Sequence, residues 1–167
     1  MRSTAVTQAT VLAFLSLAEV GVVWMFPDKI PDCACVWMAP WHVPFTEAAS
    51  DPPYQLTISN SNVRSDTAVP MCLVGTIPIE GFMVQVHDTE DNPIGSFITN
   101  STITQPMDCK GLNDTATHVS SKKHMMINFL WMPPYGYSGK VFFKATVLRT
   151  YHTYWTGISS NMFTVTN

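Results

Sequence analysis

Four cysteines, Cys33, Cys35, Cys72 and Cys109, carry the strongest chemistry in this sequence. Four thiolates could hold a zinc ion, but such sites use Cys-x-x-Cys spacing and belong to reducing compartments, whereas Cys33 and Cys35 are separated by one residue. An even number of cysteines behind a secretory leader fits disulfides better. Of the three ways to pair them, a Cys33–Cys35 bridge is strained because the two residues are so close. The other two pairings stay open, and each bridge in them closes a loop long enough to add about 3–4 kcal/mol.

The remaining polar chemistry is sparse. His42, His87, His118, His124 and His152 are scattered, with no His-x-x-x-His pair and no carboxylate at ligand spacing, so no metal site is expected. Asp88, Glu90 and Asp91 form the densest acidic cluster, which reads as a solvated hairpin turn. There is no Gly-x-Ser-x-Gly elbow, no His-Glu-x-x-His helix and no phosphate-cradling glycine loop. No enzyme and no cofactor are expected. The aromatic residues offer binding chemistry instead. Tyr135 and Tyr137 lie in a Pro-Pro-Tyr-Gly-Tyr-Ser loop, where ring faces could stack on sugars or apolar ligands. Trp37 and Trp41 are further candidates, while Trp131 and Trp155 sit in strand patterns and read as packing.

Composition sets the class. The chain has 167 residues, enough for one domain; 46% are hydrophobic and 13% charged, and the net charge is −3. It therefore has no basic field to draw in nucleic acid. Arg2, the apolar run 9–17 and small residues at Ser16 and Ala18 have the layout of a signal peptide over residues 1–25, with cleavage between 18 and 25. Glu19 interrupts the run short of a bilayer-spanning length, and no second hydrophobic segment follows, so the mature chain is expected to be extracellular with no membrane span. Asn100-Ser101-Thr102 and Asn113-Asp114-Thr115 are glycosylation sequons, which makes Asn100 and Asn113 candidate glycan sites.

The elements that must position these residues are strands. Six prolines between 26 and 53 predict irregular extended chain. After it, residues 54–59, 68–74, 81–87, 94–98, 124–131, 140–149, 151–156 and 161–166 carry strand patterns separated by turn signals. In 124–131, Met125, Ile127, Phe129 and Trp131 share one face. In 140–149, Val141, Phe143, Ala145 and Val147 face inward. Seven or eight strands without a helical period predict an all-β antiparallel sandwich.

The order of these pieces resembles the Reeler domain family. The resemblance rests on Ala34-Cys35-x-x-Met38-x-Pro40-x-His42, Pro53-Tyr54, Gly81-Phe82-Met83-Val84-Gln85-Val86 and Gly95-Ser96-Phe97. It continues through Cys109, Thr117-His118-Val119-Ser120, Trp131-x-x-Pro134, Gly139-x-Val141-x-Phe143-x-Ala145-Thr146-Val147 and Tyr151-x-Thr153-Tyr154-Trp155-x-Gly157. It covers residues 26–167. It implies an immunoglobulin-like β-sandwich with an irregular N-terminal segment tethered by a Cys35–Cys109 bridge, which leaves Cys33 with Cys72. His42 and His118 fall inside matched motifs and are expected to be structural hydrogen-bonders. The loop 75–80 and the extra cysteines Cys33 and Cys72 depart from the pattern. The resemblance implies a secreted, stand-alone protein of innate defence that binds a microbial surface glycan or lipid. The other reading is an extracellular-matrix module binding glycosaminoglycan, with Lys122, Lys123 and Lys140 as its basic patch, or binding a protein partner. A third is the extracellular part of a redox membrane protein.

Overall fold

The computed structural model describes residues 32–40, 46–98 and 101–167. The proposed leader, Trp41, His42 and Asn100 lie outside them. One short helix, α1 (Asp32–Trp37), precedes twelve strands: β1 (Thr46–Glu47), β2 (Tyr54–Ile58), β3 (Asn62–Arg64), β4 (Val69–Ile79), β5 (Gly81–Asp88), β6 (Ser96–Phe97), β7 (Thr104–Met107), β8 (Thr115–His118), β9 (His124–Met132), β10 (Gly139–Thr150), β11 (Thr153–Ser159) and β12 (Phe163–Thr166). One sheet runs β1-β11-β10-β5-β8-β7, with β12 alongside β10 and β3 alongside β12; the other runs β2-β4-β9-β6. Neighbours are antiparallel except β1–β11 and β12–β3.

The alternating patterns of the sequence become the two inner faces. Phe82, Val84 and Val86 of β5 and Val141, Phe143, Ala145 and Val147 of β10 meet Leu73 of β4 and Ile127, Phe129 and Trp131 of β9 in one core. Trp131 lies edge-on to Phe143 and Phe163, with ring centroids 6.0 and 6.2 Å away, and those two rings stack at 5.1 Å. Its indole N–H donates to the Ile94 carbonyl at 3.0 Å, so the buried ring leaves no unpaired donor. Gly95 makes this approach possible. Its φ is +71°, and a Cβ there would lie 2.5 Å from the Trp131 ring.

Several expectations change. Residues 32–37 are helical rather than extended, because the stretch between Pro31 and Pro40 holds no proline and starts at an aspartate. The departure at 75–80 is not a loop: β4 continues to Ile79, with an irregular register against β9 between Val74 and Ile79. Strands β1, β3, β7 and β8 were absent from the sequence pattern, being two to four residues long and largely polar. Met125 is 48% exposed at the start of β9, whereas the rest of its predicted face is buried.

Cys35 and Cys109 are bridged, with Cα atoms 5.4 Å apart and a sequence separation of 74. The expected Cys33–Cys72 bridge is absent, since Cys72 is a free thiol. The topology explains why. Cys72 alternates with the buried Met71 and Leu73, so it points away from the core on the β4 side. The α1 segment lies across the opposite outer surface, where the Thr146 hydroxyl, on the outward face of β10, donates to the Met38 carbonyl. Two layers of sheet separate the segment from Cys72, and a disulfide needs Cα atoms within about 7 Å.

Two outcomes follow for urea unfolding. Trp131→Ala is expected to cost about 3–5 kcal/mol, against about 0.5 kcal/mol or less for Met162→Ala on the exposed surface. Replacing both Cys35 and Cys109 by serine is expected to cost about 4 kcal/mol for a loop of this length.

Candidate binding surface at the loop end of the sandwich

The chain folds Tyr135 into a tight turn between β9 and β10. Pro133 and Pro134 end β9, because proline cannot continue a ladder. The Tyr137 N–H donates to the Pro134 carbonyl at 3.0 Å, with Gly136 at φ +74° closing the turn. The Gly136 N–H donates to the Ser65 hydroxyl at 3.2 Å, and Ser65 is buried and bonded through its own N–H to the Thr166 carbonyl at 2.7 Å. The turn is thus fastened to the β3–β4 loop and to the end of β12.

On this support the two tyrosines separate. Tyr135 is 93% exposed. Tyr137 folds back against the core, and burial pushes its phenol above its ordinary pKa. The sequence pairs them as a binding surface; the structure presents one ring and uses the other as packing.

At the same end, a shallow cleft of 210 Å³ opens between the β2–β3 and β3–β4 loops, edged by Asn60, Asn62, Arg64 and Thr67. Asp66 accepts two hydrogen bonds from Arg64, at 3.0 and 2.8 Å, and one from Thr67 at 3.0 Å. The Arg64 guanidinium, with help from Thr67, holds the Asp66 carboxyl at a pKa of about 2. Amide, hydroxyl and guanidinium groups beside an exposed ring suit polyhydroxylated ligands, whose hydroxyls take the hydrogen bonds while the ring meets the C–H face. The polar run 59–67 (Ser-Asn-Ser-Asn-Val-Arg-Ser-Asp-Thr) was the one sign of this cleft in the sequence.

The other candidates scatter. Trp37 is 71% exposed on α1, while Tyr154 and Trp155 are buried and the Trp155 indole donates to the Ser50 carbonyl at 3.0 Å. Asn113 is half-buried at φ 54° in the loop that carries Cys109. His118 accepts the Phe82 N–H at 3.2 Å. The three lysines do not form a patch. Lys123 lies 3.9 Å from Glu80, whose N–H bonds the Leu148 carbonyl at one end of β10. Lys140 pairs with Thr164 near the other end, eight residues and about 27 Å along the strand.

A buried polar chain runs along the outward face of β5, where no motif marks it. His87 Nε2 lies 2.8 Å from Gln85 Oε1, and the Gln85 amide donates to the Thr115 hydroxyl at 2.9 Å. Thr115 donates in turn to Asp114, which also accepts the N–H groups of Cys109, Lys110 and Gly111. At the other end, His87 Nδ1 lies 2.8 Å from an Asp91 carboxylate oxygen, and Lys144 bonds Asp91 at 2.9 Å. The turn at 88–92 is therefore built in: Asp88 also accepts the N–H groups of Glu90 and Asn92.

These features sit within a recognisable whole. The Reeler domain model matches residues 33–167, which include the bridged cysteines and every strand. The chain belongs to the Reeler family. Among its relatives, a Drosophila melanogaster protein named defense protein l(2)34Fc is 38% identical over 136 residues, covering 79% of this chain and 84% of that one. A Xenopus laevis protein named putative ferric-chelate reductase 1 is 26% identical over 88% of this chain but only 25% of its own length, so the likeness is to one part of a larger protein. In structure, this Reeler chain is similar to the Reelin-N domain of F-spondin, with a TM-score of 0.61 at 16% identity, covering 82% of this chain and all of that one. That likeness carries the fold. Among the described residues no helix is long and apolar enough to cross a membrane.

Burial, opposed in part by Asp91, pushes the His87 imidazole below its ordinary value. Its folded pKa then lies under the unfolded one of about 6.5, so the unfolded chain takes up protons first as pH falls. Its contribution is complete above about pH 6.5 and is lost as pH falls through the folded value. NMR titration is expected to show His87 protonating below its unfolded value of about 6.5. His87→Gln is expected to flatten the melting-temperature slope between about pH 7 and 5.

Proposed function

We propose that this Reeler protein is a secreted, non-catalytic binding protein of innate defence that recognises microbial surface glycans or lipids through the Tyr135 end of the sandwich. The single observation that carries the site is Tyr135 itself: a ring 93% exposed on a turn hydrogen-bonded to the buried Ser65 of the β3–β4 loop. An aromatic surface held rigidly before the ligand arrives loses little entropy on binding. The defence role is supported by the name of the Drosophila relative, and secretion by the leader-like residues 1–25 and the Cys35–Cys109 bridge. Glycans on Asn100 and Asn113 are part of the same reading.

A glycosaminoglycan-binding matrix module is the weaker alternative, because its lysines lie at opposite ends of β10. No observation on this chain favours a reductase, since the ferric-chelate reductase relative is matched over a quarter of its length.

The test is a pull-down of secreted protein on whole bacteria, fungal cell wall and heparin resin, with Tyr135→Ala and Tyr137→Ala variants. Tyr135→Ala is expected to weaken microbial binding at least about tenfold, or about 1.4 kcal/mol, without moving the melting temperature. Tyr137→Ala is expected to lose stability by about 1–2 kcal/mol because its ring packs on the core. Microbial binding that Tyr135→Ala leaves intact would remove the site. Retention on heparin alone would move the protein to the matrix class.

A further inference from the structure

We propose that His87 and Asp91 form a proton-operated latch on the 88–92 turn, open while the imidazole is neutral and closed when it carries protons on both ring nitrogens. The direction of each hydrogen bond leading to His87 is set from Asp114. Both carboxylate oxygens of Asp114 already accept backbone N–H groups, from Cys109, Lys110 and Gly111, at distances between 2.7 and 2.9 Å. The Thr115 hydroxyl, 3.1 Å away, donates its single proton there and can only accept from Gln85. The Gln85 NH2 group therefore faces Thr115, at 2.9 Å, and its Oε1 is turned toward His87. At 2.8 Å from that oxygen, His87 Nε2 has to carry a proton. A neutral imidazole has only one, and it is now committed.

Nδ1 then meets a conflict. It lies 3.0 Å from the Asp91 main-chain carbonyl and 2.8 Å from an Asp91 carboxylate oxygen, and both can only accept. In the neutral ring a bare lone pair faces two oxygens, and the contact repels. In the imidazolium the same oxygens receive an N–H and the charges match. The closed arrangement is therefore that of the doubly protonated ring.

Of the two partners, the turn is the one free to yield. Gln85 holds one end of the imidazole, and the Phe142 ring of β10 packs 5.8 Å from it. The His87 side chain is 6% exposed, against 59% for that of Asp91. The turn itself hangs on a few bonds to Asp88, whose carbonyl accepts the Asp91 N–H at 3.2 Å and whose carboxylate accepts the Asn92 N–H at 2.9 Å. Asp88 pairs with Val141 near the start of β10, so the latch sits at the loop end that also carries Tyr135.

The charges around the ring set the sign. Asp91 acts on it from the turn and Lys144 from β10, while β8 reaches it through the uncharged Thr115 on Gln85. Asp88 and Glu90 complete the turn, with the Asp88 carboxylate taking the Glu90 N–H as well. Lys144, bonded to Asp91 at 2.9 Å, holds that carboxyl below its ordinary range, so it stays ionised while His87 titrates. Burial lowers the imidazole in either position of the turn, and a closed Asp91 offsets part of that. Closing thus raises the His87 pKa relative to the open turn. By reciprocity a proton on His87 favours closing, and acid tightens the turn from about pH 6.5 downward.

NMR on the isotope-labelled secreted protein tests this independently of the Tyr135 reading. Above the His87 midpoint the ring is expected to carry its proton on Nε2 with Nδ1 bare, and below it protons on both. Across the same midpoint, amide exchange at Asp91 and Asn92, corrected for the intrinsic rate, is expected to slow at least about tenfold as pH falls. The domain's melting temperature falls over that range, so a general loosening in acid has the opposite sign. Asp91→Asn, whose side chain suits the φ of 62° at this position, is expected to move the His87 midpoint to lower pH and to abolish the slowing. A neutral ring protonated at Nδ1 would overturn the proposal. So would turn amides that exchange alike on both sides of the midpoint, or a midpoint that Asp91→Asn leaves in place.

Discussion

Strand β5 is buried on both faces from Gly81 to His87, and that double burial sets what the rest of the molecule must supply. A strand in a two-sheet sandwich ordinarily buries one face and wets the other. Here Phe82, Val84 and Val86 face the core, while Met83, Gln85 and His87 face outward and are still dry. The outward side chains need a cover and, for the polar pair, hydrogen-bond partners, since an unpaired buried polar group costs about 1–3 kcal/mol. Thr115 and Asp114 supply partners at one end and Asp91 at the other. The N-terminal segment supplies cover at Thr146, the cross-strand neighbour of Met83. The bridge lands on Cys109, whose own N–H bonds Asp114, so tether and polar chain meet in one loop.

The sequence declared the inner layer well, because alternation over long strands such as β9 and β10 leaves a two-residue period that no other arrangement explains. The Cys35–Cys109 pairing came from the family likeness rather than from spacing. What stayed hidden has physical reasons. Strand β5 reads Gly-Phe-Met-Val-Gln-Val-His, and nothing in that string says that Gln85 and His87 are as dry as Val84. That fact is set by Thr115, 30 residues further along the chain, and by the turn that brings Asp91 onto His87. Strands β3 and β7 are short polar segments paired at sheet edges, where backbone hydrogen bonds rather than side-chain pattern hold them. The fate of Cys72 was equally invisible, since counting cysteines does not tell which side of a sandwich each one faces.

For the site, the loop was legible and its division of labour was not. Pro-Pro-Tyr-Gly-Tyr marks a turn, but which tyrosine projects depends on where Gly136 takes its positive φ and where Ser65 catches its N–H. The cleft edged by Asn62 and Arg64 belongs to the same end because β3 pairs with β12, whose far end brings Thr166 to Ser65. A sandwich with rigid sheets and function at one loop end follows the general division between scaffold and recognition. The lysines at opposite ends of β10 leave the mildly acidic chain without a concentrated basic surface among its described residues.

The most direct test of the account is a map of backbone amide NMR shifts on adding a soluble fungal or bacterial cell-wall oligosaccharide. The account predicts saturable shifts confined to the 133–138 turn and the 59–70 segment, with β5 and the Cys109 loop unmoved. Shifts centred instead on the exposed Trp37 side of α1, or none at any of these positions across several wall oligosaccharides, would contradict it.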